Sequence, residues 1–126
     1  MLVTRMRYIG VDIIEVARIE KAIACWGERF LQRVYTDSEL KLYRKQHLSL
    51  AARFAAKEAV MKSLNRPSKD LDCKEIEILS DPSGKPLVHL CGKAQGQADA
   101  LGLDNLAISL SHCKEYAIAF AVGGTK

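Results

Sequence analysis

No apolar run in this 126-residue chain approaches the roughly 18 residues that a membrane-spanning helix requires. Met1 to Arg7 carries two arginines, but no apolar stretch with a small-residue cleavage site follows, so a secretory signal is not expected. The four cysteines (Cys25, Cys73, Cys91 and Cys113) form no CxxC pair. Their scatter argues against a closely spaced zinc motif and against a disulfide framework, and makes four reduced thiols in a cytoplasmic protein the expectation. Aromatic residues are only 6% of the chain and no basic run is interleaved with them, which weighs against a base-stacking nucleic-acid surface. Neither a GxxxxGK phosphate loop nor a GxGxxG fingerprint occurs.

What is present is ordinary in bulk and uneven in detail. Hydrophobic residues are 48% and charged residues 27%, the balance of one globular domain over residues 1–126. Residues 1–66 hold 13 Lys/Arg against 7 Asp/Glu, a surplus of +6, whereas residues 67–126 hold 6 against 8, or −2. A basic half calls for an anionic partner: nucleic acid, membrane surface, phosphorylated small molecule or acidic protein. A plain binding module for an acidic partner would account for this asymmetry as well as an enzyme would.

The element pattern predicts an α+β fold: a single small domain with a long central helix packed on an antiparallel sheet. Tyr8 to Ile14 reads as a buried strand containing one carboxylate. A helix follows from Val16 to about Cys25, stopped by Gly27, and a short one through Phe30 and Leu31. Thr36-Asp37-Ser38-Glu39 matches a capping box and starts a helix through Leu40 and Tyr43. Leu48 to Leu64 is the long helix, ended by Asn65-Arg66-Pro67. Glu75–Leu79 and Pro86–Cys91 form a hairpin around Asp81-Pro82-Ser83-Gly84. A helix over Lys93–Leu101 stops at Gly102, and strands at Leu106–Leu110 and Tyr116–Val122 complete the chain.

Charge inside the long helix is the first anomaly. Ten of the 15 residues from Leu50 to Leu64 are apolar and they surround the helix, so it reads as buried. Arg53, Lys57, Glu58 and Lys62 interrupt it, and buried charge is costly unless paired, hydrogen-bonded or metal-bound. Glu58 and Lys62, four apart, fit a simple surface pair worth about 0.2–0.5 kcal/mol. Arg53 and Lys57, also four apart, repel mildly, a penalty that a bound anion would remove. Asp12 is the second anomaly, a carboxylate within Ile-Gly-Val-Asp-Ile-Ile, where a structural hydrogen-bond acceptor or cap is the plainer account. Taken with Glu58 it has another: magnesium is held by one or two carboxylates, with water and substrate phosphates completing its shell. His112, after Ser111 at a strand end, is either a structural hydrogen-bonder or a phosphate contact.

Four segments in this order resemble the small phosphopantetheinyl transferases of the holo-acyl-carrier-protein synthase family. They are Gly10-Val11-Asp12-Ile13-Ile14-Glu15 with Arg18-Ile19; Arg53-Phe54-Ala55-Ala56-Lys57-Glu58-Ala59-Val60-Met61-Lys62; Ile76-Glu77-Ile78 with Gly84-Lys85-Pro86; and Ser109-Leu110-Ser111-His112 with Glu115-Tyr116-Ala117. The resemblance covers nearly the whole chain, and the second segment is the most specific. It implies magnesium-dependent transfer of the 4'-phosphopantetheine group of coenzyme A to a serine of apo acyl carrier protein, in support of fatty acid biosynthesis. It also implies that Asp12 and Glu58 hold the metal, from one chain or two, and that Lys62 contacts the diphosphate. Arg53, Lys57, Ser111 and His112 become contacts to coenzyme A phosphates, and Arg18 a contact to the acidic carrier. A cytoplasmic homotrimer with active sites at subunit interfaces is implied too, with no nucleic acid or membrane as partner. Three positions depart from the family's habit: Val11 replaces a small polar residue, Asn65 a glycine, and Cys113 an Asp or Thr.

Overall fold

The computed structural model describes residues 6–66 and 70–125, so the expected helix stop at Pro67 lies outside the described residues. The elements in chain order are β1 (Arg7–Glu15), α1 (Val16–Trp26), α2 (Glu28–Val34), α3 (Asp37–Tyr43), α4 (His47–Ser63), a 3-10 turn (Cys73–Glu75), β2 (Ile76–Ser80), β3 (Pro86–Leu90), α5 (Gly92–Leu101), β4 (Leu103–His112) and β5 (Tyr116–Thr125). The strands form two antiparallel sheets, one of three strands in the order β1-β5-β4 and a hairpin of β2 and β3. This is the expected α+β fold, a long helix on an antiparallel sheet.

Local chemistry explains most boundaries. Thr36 caps α3 with the reciprocal bonds of a capping box, its hydroxyl accepting from the Glu39 amide while Glu39 accepts from the Thr36 amide. Gly102 closes α5 at φ 72°, a left-handed conformation that a residue without Cβ adopts freely. Asn65 takes φ 58° at the end of α4, and the Asn65 and Arg66 amides donate to the Lys62 and Met61 carbonyls. Asparagine tolerates this region better than other residues with a side chain, so the departure from glycine leaves the helix stop intact.

Helix α4 is the core of the molecule. Leu50, Ala51, Ala55, Ala56, Ala59 and Val60 are fully buried, as the all-round apolar pattern implies. It lies on the three-stranded sheet, whose inner face is built small: Ala117, Ala119 and Ala121 of β5 are all buried. Gly10 of β1 faces the helix so closely that a Cβ there would overlap the Ala59 carbonyl and the Ser63 amide. The missing side chain therefore sets how near β1, and with it Asp12, comes to the last turns of α4.

The opposite face of that sheet is different. Ile9, Val11 and Ile13 of β1 and Tyr116, Ile118 and Phe120 of β5 alternate with the inward residues and are exposed. Val11 is cross-strand from Phe120, and Ile13 from Ile118, so these side chains make a continuous apolar surface.

Candidate active site

Asp12 leaves β1 on the helix side, opposite Ala119, and Glu58 and Lys62 leave α4 one turn apart. Lys62 Nζ donates to the Val11 carbonyl at 2.9 Å and to Asp12 Oδ1 at 3.2 Å. It pairs with Asp12, not with Glu58, so the simple helix-surface pair does not form. Asp12, Glu58 and Arg18 line one cleft of about 260 Å³, walled by Ile13, Ala22, Phe30 and Phe54. A single chain thus brings both carboxylates to one cleft.

The electrostatics of this cleft favour a cation. Burial raises the Glu58 pKa above its ordinary value, and the nearby Asp12 charge raises it further, while Lys62 pulls it back. A carboxyl whose ionisation is opposed by burial and by a neighbouring carboxylate is relieved by a divalent ion beside it. Among the described residues no cluster of three or more His, Cys, Asp or Glu could hold a metal. A site with two protein carboxylates and open positions matches a hard ion such as magnesium, which takes its other ligands from water and phosphate. Asp12 and Glu58 therefore fit the implied group.

A second cleft, of about 390 Å³, is lined by Arg53, His112 and Lys85 together with Ser49, Ser80 and Ser109. Lys85 was not singled out from the sequence, although it stands in the Gly84-Lys85-Pro86 turn. Arg53 is only 5% exposed, and its guanidinium donates to the Ile78 carbonyl, the Ser80 hydroxyl and the Ser49 carbonyl at 3.0, 3.1 and 3.4 Å. Among the described residues it has no carboxylate partner, whereas burial opposes its charge and pulls its pKa down. A buried cation that bonds to no carboxylate, beside a lysine and a histidine, is chemically suited to an anion. Arg53 and Glu58 are five residues apart, which sets them roughly 140° apart around the helix, so the two clefts open on different sides of α4.

Two expected phosphate contacts are not brought to either cleft. Lys57 is wholly buried: its ammonium pairs with Glu39 Oε1 at 2.8 Å and donates to the carbonyls of Cys73 at 3.0 Å and Ile76 at 2.5 Å. All three donors are used, so a phosphate contact through Lys57 is overturned. Glu39 is equally buried and also accepts from the Ile78 amide at 2.8 Å. Ser111 pairs with Ile118 on the outer sheet face, while His112 pairs with Ala117 on the helix face. Ser111 is not among the residues that line the cleft with His112.

The chain belongs to the 4'-phosphopantetheinyl transferase superfamily, whose sequence model matches residues 8–121. Within that class its relatives are holo-[acyl-carrier-protein] synthases. That of Dehalococcoides mccartyi (strain CBDB1) is 55% identical over 117 residues, covering 93% of this chain and 98% of the relative. That of Herpetosiphon aurantiacus is 45% identical over 130 residues, covering 98% of each. Among solved structures, the Helicobacter pylori holo-[acyl-carrier-protein] synthase in complex with coenzyme A matches with a TM-score of 0.82 at 35% identity, over 91% of this chain and 98% of that one. Holo-ACP-synthase from Plasmodium yoelii matches with a TM-score of 0.85 at 32% identity, over 98% and 99%.

Proposed function

We propose that this chain, as one domain over residues 1–126, transfers the 4'-phosphopantetheine group of coenzyme A to a serine of apo acyl carrier protein, in the service of fatty acid biosynthesis in the cytoplasm. The observation that carries this reading is that Asp12 and Glu58 line one cleft with Lys62 bonded to Asp12, in a chain of this superfamily. Asp12 and Glu58 would hold magnesium, which when bound neutralises charge on the diphosphate. Lys62, exposed on a flexible stem, donates to the same diphosphate. The serine oxygen forms a bond to the phosphorus that bears the pantetheine. The phosphoanhydride bond to adenosine 3',5'-bisphosphate breaks, and the hydroxyl proton is released. Catalysis rests on positioning and on charge stabilisation, with no covalent enzyme intermediate.

Arg53, Lys85 and His112 hold a phosphate group of coenzyme A in the second cleft. The exposed apolar sheet face supports a homotrimer, because a patch of that kind calls for a protein partner. Ile13 belongs to that outer face and lines the first cleft, and Ser109 belongs to it and lines the second. With copies packed through this face, the metal cleft of one copy would lie near the phosphate cleft of the next, and Ser111, on the same face as Ile118, would lie at that junction. Arg18, at the mouth of the metal cleft, meets the acidic carrier protein.

Intact-mass spectrometry of apo acyl carrier protein incubated with this protein, coenzyme A and magnesium tests the reading. A gain of one phosphopantetheine group that disappears with EDTA is expected. No gain on several folded carriers would reject it.

A further inference from the structure

Among the described residues Arg53 makes no direct ion pair in its buried place, where the Glu39 charge supports it only through space, and the group packed against its guanidinium is Tyr43. The guanidinium carbon lies 3.6 Å from the centroid of the Tyr43 ring, and the Tyr43 hydroxyl donates to Ser80 Oγ at 3.4 Å, the same oxygen that accepts from Arg53. The π face stabilises a cation by its quadrupole without contributing a negative charge. A carboxylate in that position would satisfy the guanidinium and cancel the positive potential of the cleft. The ring holds the plane of the group, and the Ile78, Ser80 and Ser49 oxygens engage three of its five N–H bonds. The N–H bonds these oxygens leave over belong to a group that lines a cleft with Lys85 and His112.

We propose that Tyr43 is a positioning residue for phosphate binding in this cleft: as an aromatic plate it orients Arg53 while leaving its charge and its free N–H bonds for the anion. The proposal rests on the coenzyme A reading above, and it concerns a residue of α3 that touches no substrate.

Its test is the affinity of adenosine 3',5'-bisphosphate, measured by calorimetry on the parent and on Tyr43→Leu, Tyr43→Phe and Arg53→Ala, with the Michaelis constants of both substrates. Tyr43→Leu should weaken the bisphosphate by about 5- to 10-fold. It should raise KM for coenzyme A by a similar factor, with kcat and the KM for carrier protein unchanged. Tyr43→Phe, which keeps the plate, should stay within about twofold of the parent. Parent-like affinity in Tyr43→Leu, with Arg53→Ala weakened, overturns the role of Tyr43 and leaves the transferase reading standing. An equal loss in Tyr43→Phe and Tyr43→Leu assigns the effect to the hydroxyl and overturns the plate. A fall in kcat and in carrier affinity together with the loss marks general loosening and overturns it as well. A folded parent that binds no bisphosphate and transfers nothing overturns both readings.

Discussion

Lys57 and Lys62 stand five residues apart on one helix, in one motif, and have opposite environments. Lys57 faces α3 and β2, where its three donors are consumed by Glu39 and two carbonyls, and none of its surface reaches water. Lys62 faces β1, its side chain is 56% exposed, and among the described residues its ion pair is with the carboxylate Asp12. The difference follows from helix geometry, since five residues turn roughly 140° and carry a side chain from one packing surface to another. One lysine closes a buried network and the other bonds to a carboxylate that lines an open cleft. The comparison teaches that charge inside an apolar helix has two separate justifications, and that neighbours in space decide between them.

The comparison is broken most sharply on the open side. Asp12→Ala and Glu58→Ala should each lower phosphopantetheine transfer by about 1,000-fold with the fold intact, because charge stabilisation supplies most of the chemistry. Circular dichroism together with the mass assay checks both halves of that statement, and full magnesium-dependent transfer in either variant would remove the metal assignment. Lys62→Met should cost about 100-fold in transfer and less than about 1 kcal/mol of stability, as for an exposed ion pair.

Lys57→Met is the mirror image. Removing one partner of a buried pair leaves Glu39 uncompensated, and the expected loss is about 3–5 kcal/mol. For a chain of this size that lowers Tm by about 10 °C or more. The double variant Lys57→Met with Glu39→Gln should recover part of the loss, which a double-mutant cycle by denaturant melts would measure. If Lys57→Met melted like the parent but lost coenzyme A affinity, the two lysines would not differ in kind.

These opposite roles were only half legible in the sequence. The Thr36 capping box, the stops at Gly27 and Gly102 and the all-round burial of α4 rest on local chemistry, and they appear where local chemistry sets them. The environment of Lys57 does not, because its partner Glu39 is 18 residues away on another helix, while the visible neighbour was the like-charged Arg53. The capping box accounts for Glu39 by itself, so its sequence position gives no sign of a second task. Strands β4 and β5 run further than their apolar cores implied, since Gly123 and Gly124 lie opposite Leu106 and Asn105 and are defined by that pairing. Ser111 was separable in principle: strand alternation puts it opposite to His112, but only if the strand extends through both. The meeting of Asp12 with Lys62 depends on Gly10 admitting the helix, which the sequence shows as a glycine with no stated purpose.

A smaller effect belongs to the rim of the metal cleft. Arg18 is exposed and lines the cleft beside Asp12 and Glu58. Arg18→Glu should raise the KM for carrier protein by about 10-fold at low salt, with coenzyme A affinity unchanged, since a rim charge acts on encounter. The gap between variant and parent should narrow as ionic strength rises and the Debye length shortens. An unchanged carrier KM would move the docking surface elsewhere.

The smallest effect is one of pH, and it separates the two sides of α4 without touching activity. Burial and the Asp12 charge hold the Glu58 pKa above its ordinary 4.5 in the folded protein. A group whose folded pKa is raised stabilises the fold below its unfolded value and loses that contribution as pH rises through the folded value. Metal-free protein should therefore lose stability above about pH 4.5, as Glu58 ionises in the folded state. Glu58→Gln stays neutral, so with EDTA present its Tm should exceed that of the parent at pH 7 and match it more closely at pH 4. Added magnesium should raise the parent's Tm and leave Glu58→Gln nearly unmoved, because an ion that binds only the folded state stabilises by mass action. A variant less stable than the parent across this range would mean that the Glu58 charge is a structural asset, like that of Lys57, and the contrast between the two sides of the helix would fail.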